Sequence, residues 1–374
     1  MEYIRHKFIM PYNPLQPYND LPALDPELLF VDEDLSKLVL KASRALAELK
    51  GLCLALPDPQ ILIQTLVVQE SRDSSAIENI VTTQDELYQS LASAETEQGP
   101  AKEVLRYREA LYTGLERMQD SKNIITTNTL IEIVQKIKGN TSGIRKQLGT
   151  VLRNNANQIV YTPPCCEDVV REKMTGLEQF INDPSLSDLD PLLKMAMLHY
   201  QFEAIHPFAD GNGRTGRILN SLFLVQQDLL NLPVLYLSAY INNYKSEYYR
   251  LLREVTEQGK WKEWCVYILN AVHDSSVLTI HKIKAIRSLM QDLEPKIKNV
   301  LGSSYEHELL ELMFTIPYLK IELLERKGFG HRETISKNLH KLKFAEILRE
   351  QKSGKTKYFV NHRLLDILAN GQNF

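Results

Sequence analysis

Apolar residues recur at intervals of three and four along most of the chain, the spacing that places them on one face of a helix. In the first 150 residues the pattern is clearest in four stretches bounded by Gly, Pro, Asn or Asp: residues 35–50, 61–70, 105–118 and 129–139. It continues over residues 191–205, 214–230, 240–255 and 263–293. The pattern predicts an all-α core.

The helical pattern is absent at the N-terminus and in one short internal segment. Residues 1–30 hold five of the sixteen prolines, and proline fixes φ and removes a backbone donor, so we predict an extended arm. Residues 154–164 place β-branched and aromatic side chains between asparagines and prolines. This composition predicts a short β-hairpin within the helical fold.

Beyond about residue 300 the order of predicted elements changes. Three helical stretches are followed by residues 346–361, whose pattern predicts a two-stranded hairpin with a turn at Ser353 and Gly354. Three helices and a hairpin are the layout of a small winged helix-turn-helix domain. We therefore predict three regions: residues 1–100 as an arm and helical region, 101–300 as the core, and 301–374 as the winged-helix domain.

Length and composition indicate an ordinary globular protein of two or three compact units. Of 374 residues 44% are hydrophobic, and the net charge of -3 gives no global signature for binding polyanions. No CxxC pair occurs, and the adjacent Cys165 and Cys166 do not suit an unstrained disulfide. The N-terminus lacks the apolar core of a signal peptide, and nowhere do 18 apolar residues run together. We expect a cytoplasmic protein with no membrane partner.

One segment, residues 206–217, concentrates chemistry between two helical stretches. Its sequence HPFADGNGRTGR holds three glycines, two arginines, an acid, an amide and a histidine. Gly211, Asn212 and Gly213 permit a tight turn whose backbone N–H groups point at one spot, and the helix opening at Arg214 adds its positive end. The segment therefore predicts an anion-binding site.

The charged side chains of this segment indicate which anion it binds. Arg214 and Arg217, three residues apart, suit the several oxygens of a polyphosphate better than a single carboxylate. Asp210 suits Mg²⁺, which uses one or two carboxylates together with phosphate oxygens and water. His206 can accept a proton near neutral pH. Together they predict a polyphosphate ligand, Mg²⁺ as cofactor and His206 as a base.

The segment resembles the signature HxFx(D/E)GNGRxxR of the Fic (filamentation-induced-by-cAMP) family at every fixed position. The resemblance implies an all-α Fic core and a protein adenylyltransferase, which moves AMP from Mg²⁺-ATP to a Ser, Thr or Tyr hydroxyl of a target protein. It implies that His206 deprotonates the hydroxyl and that Phe208 anchors the loop. The remaining implied roles are a Mg²⁺ ligand for Asp210, contacts to the α- and β-phosphates for Gly211, Asn212 and Gly213, stabilisation of the diphosphate for Arg214 and a γ-phosphate contact for Arg217.

A second segment, residues 74–79, resembles the inhibitory motif (S/T)xxxE(G/N) of class II Fic proteins, with Ser74, Glu78 and Asn79 at the matched positions. The resemblance implies that Glu78 pairs with Arg217 and denies that arginine to the γ-phosphate. A carboxylate competes for the same donors as a phosphate oxygen. An alternative remains open, because Ser75 and Glu78 also form the S-x-x-E pattern of a capping box that begins a helix.

A third segment, residues 159–164, resembles the Fic flap, which pairs with an extended target segment. The resemblance implies that Ile159, Val160, Tyr161 and Thr162 dock the target main chain by β-augmentation. An ordinary surface hairpin is the alternative.

Partners and some details of the reaction stay open at this point. The target is not encoded in any motif, and the chain itself is a candidate acceptor and a candidate homodimer. Transfer of another phosphate-linked group and removal of AMP are neighbouring activities. Residues 319–363 hold twelve Lys or Arg against five Asp or Glu, so the winged helix is a candidate for binding DNA, with protein docking as the alternative. A DNA-binding regulator whose core only senses nucleotide is the competing class.

Overall fold

The computed structural model describes residues 12–55, 59–93, 99–154, 156–183, 185 and 188–369, with the backbone alone at 59–63. Within them the fold is mostly helical with two small antiparallel sheets. The helices are α1 (Glu33–Leu54), α2 (Pro59–Ile77), α3 (Gln84–Ala92), α4 (Pro100–Asp120), α5 (Thr127–Lys138), α6 (Glu167–Asn182), α7 (Pro191–Ile205), α8 (Asn212–Gln226), α9 (Leu237–Asn243), α10 (Lys245–Gln258), α11 (Trp261–Leu301), α12 (His307–Thr315), α13 (Ile321–Arg326), α14 (Arg332–Phe344) and α15 (His362–Ala369). The strands are β1 (Leu152–Arg153), β2 (Ile159–Tyr161), β3 (Tyr318–Leu319), β4 (Arg349–Ser353) and β5 (Thr356–Val360).

The chain forms two compact units. The first comprises Met1–Arg44, Glu109–Asp228 and Tyr244–Val272, and the second Ala45–Arg108, Leu229–Asn243 and His273–Phe374. None of the described helices is both long and apolar enough to cross a membrane.

The first unit is built around α7, which packs against α6 and α8. Nearly every residue of α7 is buried, and a helix that is apolar all round belongs in the middle of a core. Its start is fixed by Asp190, whose carboxylate accepts the backbone N–H of Leu192 at 2.8 Å, and by Pro191 at the first helical position. The end of α7 and the start of α8 bracket residues 206–211.

The described part of the predicted N-terminal arm combines extended segments with turns at residues 14–16 and 19–20 and a short 3₁₀ helix at Pro26–Leu28. Pro11 lies outside the described residues. The rings of Tyr12 and Tyr18 pack with that of Tyr161 on β2, and the Tyr18 backbone N–H donates to the Thr162 carbonyl at 3.0 Å. The arm is therefore fastened to the β1–β2 hairpin. That hairpin confirms the predicted one, although its first strand begins before residue 154.

In the second unit, α2 packs against α9 and α12. Glu70 of α2 is buried, and its carboxylate accepts the backbone N–H of Ser238 at 3.1 Å. The Thr65 hydroxyl donates to the Phe314 carbonyl at 2.6 Å. These bonds supply the partners that buried polar groups require, and they fix α2 in the unit.

The C-terminal part of the second unit has the predicted order of helices followed by a hairpin. Its sheet order is β3-β5-β4, all antiparallel. The turn lies one residue later than predicted, because Ser353 pairs with Thr356 and leaves Gly354, at φ 55°, and Lys355 as the central residues. Strand β3 carried no sequence signal, since it is two residues long and exists only by pairing with β5.

At two places the apolar pattern runs on where the helix ends. The pattern over 240–255 predicted one helix, but Tyr244, at φ −113° and ψ 35°, separates α9 from α10 with no Gly or Pro to mark the break. The pattern over 214–230 also runs too far. Helix α8 ends at Gln226, two residues before Asp228 enters the left-handed region at φ 53°.

Candidate functional site

The loop between α7 and α8 is shaped by left-handed residues at both ends. His206 ends α7 at φ 50° and ψ 58°, and its backbone N–H donates to the Phe202 carbonyl at 3.0 Å. Gly211 precedes α8 at φ 84° and ψ 12°, a conformation that glycine adopts without strain. These two turns place the histidine beside a helix N-terminus.

The Asn212 side chain holds the loop closed. Its Oδ1 accepts the Phe208 backbone N–H at 2.8 Å, and its Nδ2 donates to the Phe208 carbonyl at 2.7 Å. Phe208 is itself buried, with its ring 6.2 Å from that of Phe202. Both ends of the Asn212 amide are engaged within the loop, so the backbone N–H of Asn212 and the second N–H of its Nδ2 are the donors that it can still offer to a phosphate.

Two glycines of this site lie where an added Cβ would crowd its neighbours. A Cβ on Gly211 would lie 3.1 Å from Cγ2 of Val134 on α5. A Cβ on Gly216 would lie 2.6 Å from Oε1 of Glu203, a distance that real contacts do not show. Gly216 occupies a variable position of the signature, so its role in the α7–α8 contact was not predicted.

Both arginines of the loop are buried at the start of α8. Arg214 is 1% exposed and Arg217 is 2% exposed, and Nη2 of Arg214 lies 3.9 Å from Oδ1 of Asp210. Nearby, burial and, to a smaller extent, the charge of Arg217 lower the pKa of His199 to about 3. The Nε2 of His199 lies 2.9 Å from the Tyr248 hydroxyl. His199 is therefore neutral, and the positive charge here belongs to Arg217.

Asp210 carries the exposed carboxylate of the site. Burial raises its pKa, but bonding to Lys138, whose Nζ lies 2.5 Å from Oδ2, outweighs this and the net pKa is lowered. No group of three or more His, Cys, Asp or Glu that could hold a metal occurs among the described residues. One ionised, accessible carboxylate fits Mg²⁺ if nucleotide oxygens and water complete the shell.

His206 is neutral at physiological pH. Burial lowers the pKa of its imidazole to about 4, and the charge of Arg145 contributes in the same direction. The backbone of Glu203 and the Asp210 carboxylate oppose the shift. A neutral imidazole at the end of α7 can accept a proton from a hydroxyl placed beside it.

The residues predicted to dock a target differ in their surroundings. Ile159, Val160 and Tyr161 form β2, paired with β1 on one edge. The Tyr161 hydroxyl donates to the Ala204 carbonyl of α7 at 2.7 Å. Thr162 is buried, and its carbonyl is already engaged by the arm. The edge that remains for a partner is therefore shorter than the predicted one.

The segment with Ser74, Glu78 and Asn79 lies at the end of α2. The Asn79 N–H donates to the Ala76 carbonyl and the Ile80 N–H to the Ser75 carbonyl, both at 3.0 Å, with Asn79 at φ 62°. This is a Schellman motif, and its left-handed residue explains why Asn or Gly follows Glu78. The alternative capping box is wrong, because Ser75 lies in the last turn of α2 and bonds back to the Ser71 carbonyl.

Sequence reasoning missed Arg145 and Lys138, two basic residues that contact the site. Arg145 lies between α5 and β1 and binds backbone carbonyls at the end of α7. Lys138 ends α5 and pairs with Asp210. Both lie at least sixty positions from their partners between Ile205 and Asp210, so no local pattern could reveal them.

The fold and site together define a helical protein in which a single loop joins a histidine at the end of one helix to the N-terminus of the next helix, where an anion can bind. Residues 36–116 match the family model "Fic/DOC family N-terminal" and residues 124–224 the model "Fic/DOC family", which contains that loop. Residues 289–364 match "Protein adenylyltransferase SoFic-like, C-terminal domain". The chain belongs to the Fic/DOC family.

Curated relatives and solved structures agree with this assignment. The chain is 29% identical over 102 residues to protein adenylyltransferase fic-1 of Caenorhabditis briggsae, covering 27% of this chain and 20% of that protein. It is 28% identical over 172 residues to protein adenylyltransferase Fic of Nematostella vectensis, covering 44% and 39%. The matches thus span well under half the length of these relatives.

The fold is shared with a Fic family protein from Desulfovibrio desulfuricans G20. The TM-score is 0.59 at 21% identity, covering 90% of this chain and 98% of that one. Residues 134–508 of Caenorhabditis elegans Fic-1 give a TM-score of 0.53 at 22% identity, covering 67% and 74%.

Proposed function

We propose that this chain is a protein adenylyltransferase that transfers AMP from Mg²⁺-ATP to a Ser, Thr or Tyr hydroxyl of a target protein. One observation carries the proposal: His206, with its pKa lowered by burial, ends α7 where Gly211 and Asn212 begin α8. A base and an anion-binding helix start on one loop are what nucleotidyl transfer requires. The names of the relatives support this activity.

The reaction follows from these positions. Neutral His206 accepts the proton of the target hydroxyl, whose oxygen attacks the α-phosphorus as the bond to the β-phosphate oxygen breaks and pyrophosphate leaves. The N–H groups at the start of α8 and the buried Arg214 would stabilise the growing charge. Asp210 would hold Mg²⁺, which neutralises phosphate charge when bound. To bind Asp210, Mg²⁺ would have to displace the Lys138 ammonium group from the carboxylate.

We further infer that Glu78 inhibits transfer by competing with the γ-phosphate for Arg217. The motif match supports this, and so does the position of Glu78 at the C-terminal end of α2. A carboxylate there is opposed by the helix dipole, so helix stability does not explain it. A carboxylate and a phosphate oxygen accept from the same guanidinium donors.

The test compares the Glu78→Gly protein with and without His206→Ala, using Mg²⁺ and ATP labelled at the α- or the γ-phosphate. Label from the α-phosphate that depends on His206 establishes AMP transfer. Label from the γ-phosphate alone indicates a kinase-like orientation, and no label in either case overturns the proposal. An adenylylated substrate incubated with the same proteins tests removal of AMP.

Two internal comparisons sharpen this experiment. A Glu78→Gln variant retains the size of the side chain without its charge, so it should resemble Glu78→Gly if charge is what inhibits. Wild-type protein labelled as strongly as Glu78→Gly would exclude inhibition without touching the transfer proposal. Label on the chain itself would identify self-modification, and sedimentation of the same sample would show whether a homodimer forms.

We also propose that the C-terminal part of the second unit is a winged helix that binds duplex DNA. The support is its order of α12, α13 and α14 followed by a hairpin whose tip exposes Lys352 and Lys355. The full chain should bind duplex DNA with an affinity that falls steeply with salt, and Lys352→Glu with Lys355→Glu should weaken it. Lys296→Glu on α11, away from the hairpin in sequence, is the matched control. Salt-independent or absent binding would favour protein docking.

A further inference from the structure

Arg145 is a buried arginine whose hydrogen bonds all go to backbone carbonyls of two functional segments. Its Nε donates to the His206 carbonyl at 2.7 Å, and its Nη2 donates to the carbonyl of Ile205 at 3.3 Å and to that of Pro164. The Arg145 backbone N–H donates to the Pro207 carbonyl at 2.9 Å. One residue therefore holds three successive carbonyls at the end of α7.

These carbonyls need such a partner. The last carbonyls of a helix have no backbone N–H within the helix to bond to. When these carbonyls are buried, they need another hydrogen-bond donor. The turn at His206 carries the chain away from α7, so the helix cannot supply one. The Tyr161 hydroxyl fills this need for Ala204, and Arg145 fills it for Ile205 and His206. A positive side chain there also suits the negative end of the helix dipole.

The bond to Pro164 makes the contact more than a helix cap. Pro164 lies three residues beyond β2 and forms the root of the β1–β2 hairpin. The planar guanidinium binds this root and the catalytic turn at once, and its fixed geometry sets their separation. Arg145 is only 4% exposed, so its bonds are not shared with solvent.

We propose that Arg145 is a positioning residue for transfer, which fixes the β1–β2 hairpin relative to His206 so that an acceptor hydroxyl held on β2 meets the imidazole. The inference rests on the proposed function. A misplacement of about 1 Å can cost a hundredfold in rate, so a residue that sets this distance controls the chemical step without touching the nucleotide. The charge of Arg145 also helps to keep His206 neutral.

The test uses Arg145→Lys and Arg145→Met in the Glu78→Gly protein. Lysine retains the charge but has one nitrogen in place of the Nε and Nη2 that bind here, so it loses at least one of these bonds and the fixed planar geometry. We expect Arg145→Lys to lose about tenfold to a hundredfold in transfer rate, while nucleotide affinity changes by less than about twofold. Arg171→Lys and Arg171→Met, on an exposed arginine of α6 that pairs with Glu167, are matched controls expected to leave both unchanged.

Two measurements test the role of Arg145 without depending on AMP transfer. The NMR titration of the His206 imidazole should keep its low pKa in Arg145→Lys and move upward in Arg145→Met, because only the second loses the charge. Amide exchange at β2 should accelerate in both variants. Tyr161→Phe, which removes the bond to Ala204 and leaves Arg145 in place, should accelerate it as well and is available if the arginine variants do not fold.

The outcomes separate the two proposals. If no protein transfers AMP, the proposed function fails, while the titration and the exchange data still decide the role of Arg145. Wild-type transfer and wild-type exchange in Arg145→Lys would overturn the inference. Equal losses of nucleotide binding and transfer would overturn it too, since they would show a general loss of structure.

Discussion

The Nζ of Lys138 lies 2.5 Å from Oδ2 of Asp210, so the carboxylate assigned to Mg²⁺ is already neutralised by a lysine at the end of α5. The carboxylate is 60% exposed and the lysine 26%, which makes the pair weak, worth at most about 1 kcal/mol. A metal can therefore displace the ammonium group. The pair offsets the negative charge of Asp210 at the loop where we propose that the triphosphate binds.

Replacing Lys138 with methionine should lower the Mg²⁺ concentration that half-saturates transfer by up to about fivefold, because the metal no longer competes with an ammonium group. Titration of Mg²⁺ in the Glu78→Gly protein measures this. Lys146→Met, which removes a lysine paired with Glu167 at 3.3 Å, is the control and should change nothing. A higher Mg²⁺ requirement in Lys138→Met would mean that Lys138 assists the metal or the phosphates.

The pH dependence of transfer should reflect the lowered pKa of His206. Only the neutral imidazole accepts a proton, so the rate is retained above its pKa and is lost as the pH falls through about 4. An ordinary histidine would lose its activity near pH 6.5 instead. The measurement is the rate at saturating ATP from about pH 3 to pH 8, a range that extends below the lowered pKa, with nucleotide affinity determined at each pH. An inflection near the ordinary value would contradict the burial of this base.

Much of the site was predictable because its chemistry is contiguous in sequence. His206, Asp210 and Arg214 lie within nine positions, and a loop so dense in functional groups has few other uses. The helices around it were predictable because apolar spacing reports burial directly, as α7 shows by starting at Pro191 and ending at Ile205.

What the sequence did not reveal depends on contacts between distant residues. Arg145 and Lys138 look like ordinary surface basic residues until the fold brings them to the loop. The bonds by which the Asn212 side chain holds the loop were not predicted, because an amide beside glycines is typical of a phosphate-binding turn. Its two bonds to Phe208 appear only once the turn is built. The break between α9 and α10 at Tyr244 was not predictable either, because no Gly or Pro marks it.

Gly216→Ala should destabilise the protein by about 1–3 kcal/mol, because the added Cβ would overlap Glu203 and Phe202 where α7 and α8 pack. The matched control is Gly176→Ala on α6, where nothing lies within 4 Å of the new Cβ. There alanine should stabilise the helix by about 0.5–1 kcal/mol. Thermal or urea unfolding of both variants decides. If they shift stability in the same direction, the close α7–α8 contact is not what selects glycine.

Asn212→Ala should cost about 1–3 kcal/mol in stability, because it leaves the buried N–H and carbonyl of Phe208 without partners. Transfer should fall more steeply than stability alone explains, since the N–H groups that face the phosphates belong to the same turn. Asn140→Ala, at an exposed asparagine whose Oδ1 accepts the Ser142 N–H, is the control and should stay within about 0.5 kcal/mol of wild type. Unfolding and nucleotide affinity are measured together. A stable Asn212→Ala protein that fails only to bind nucleotide would return the side chain to the role of a phosphate ligand.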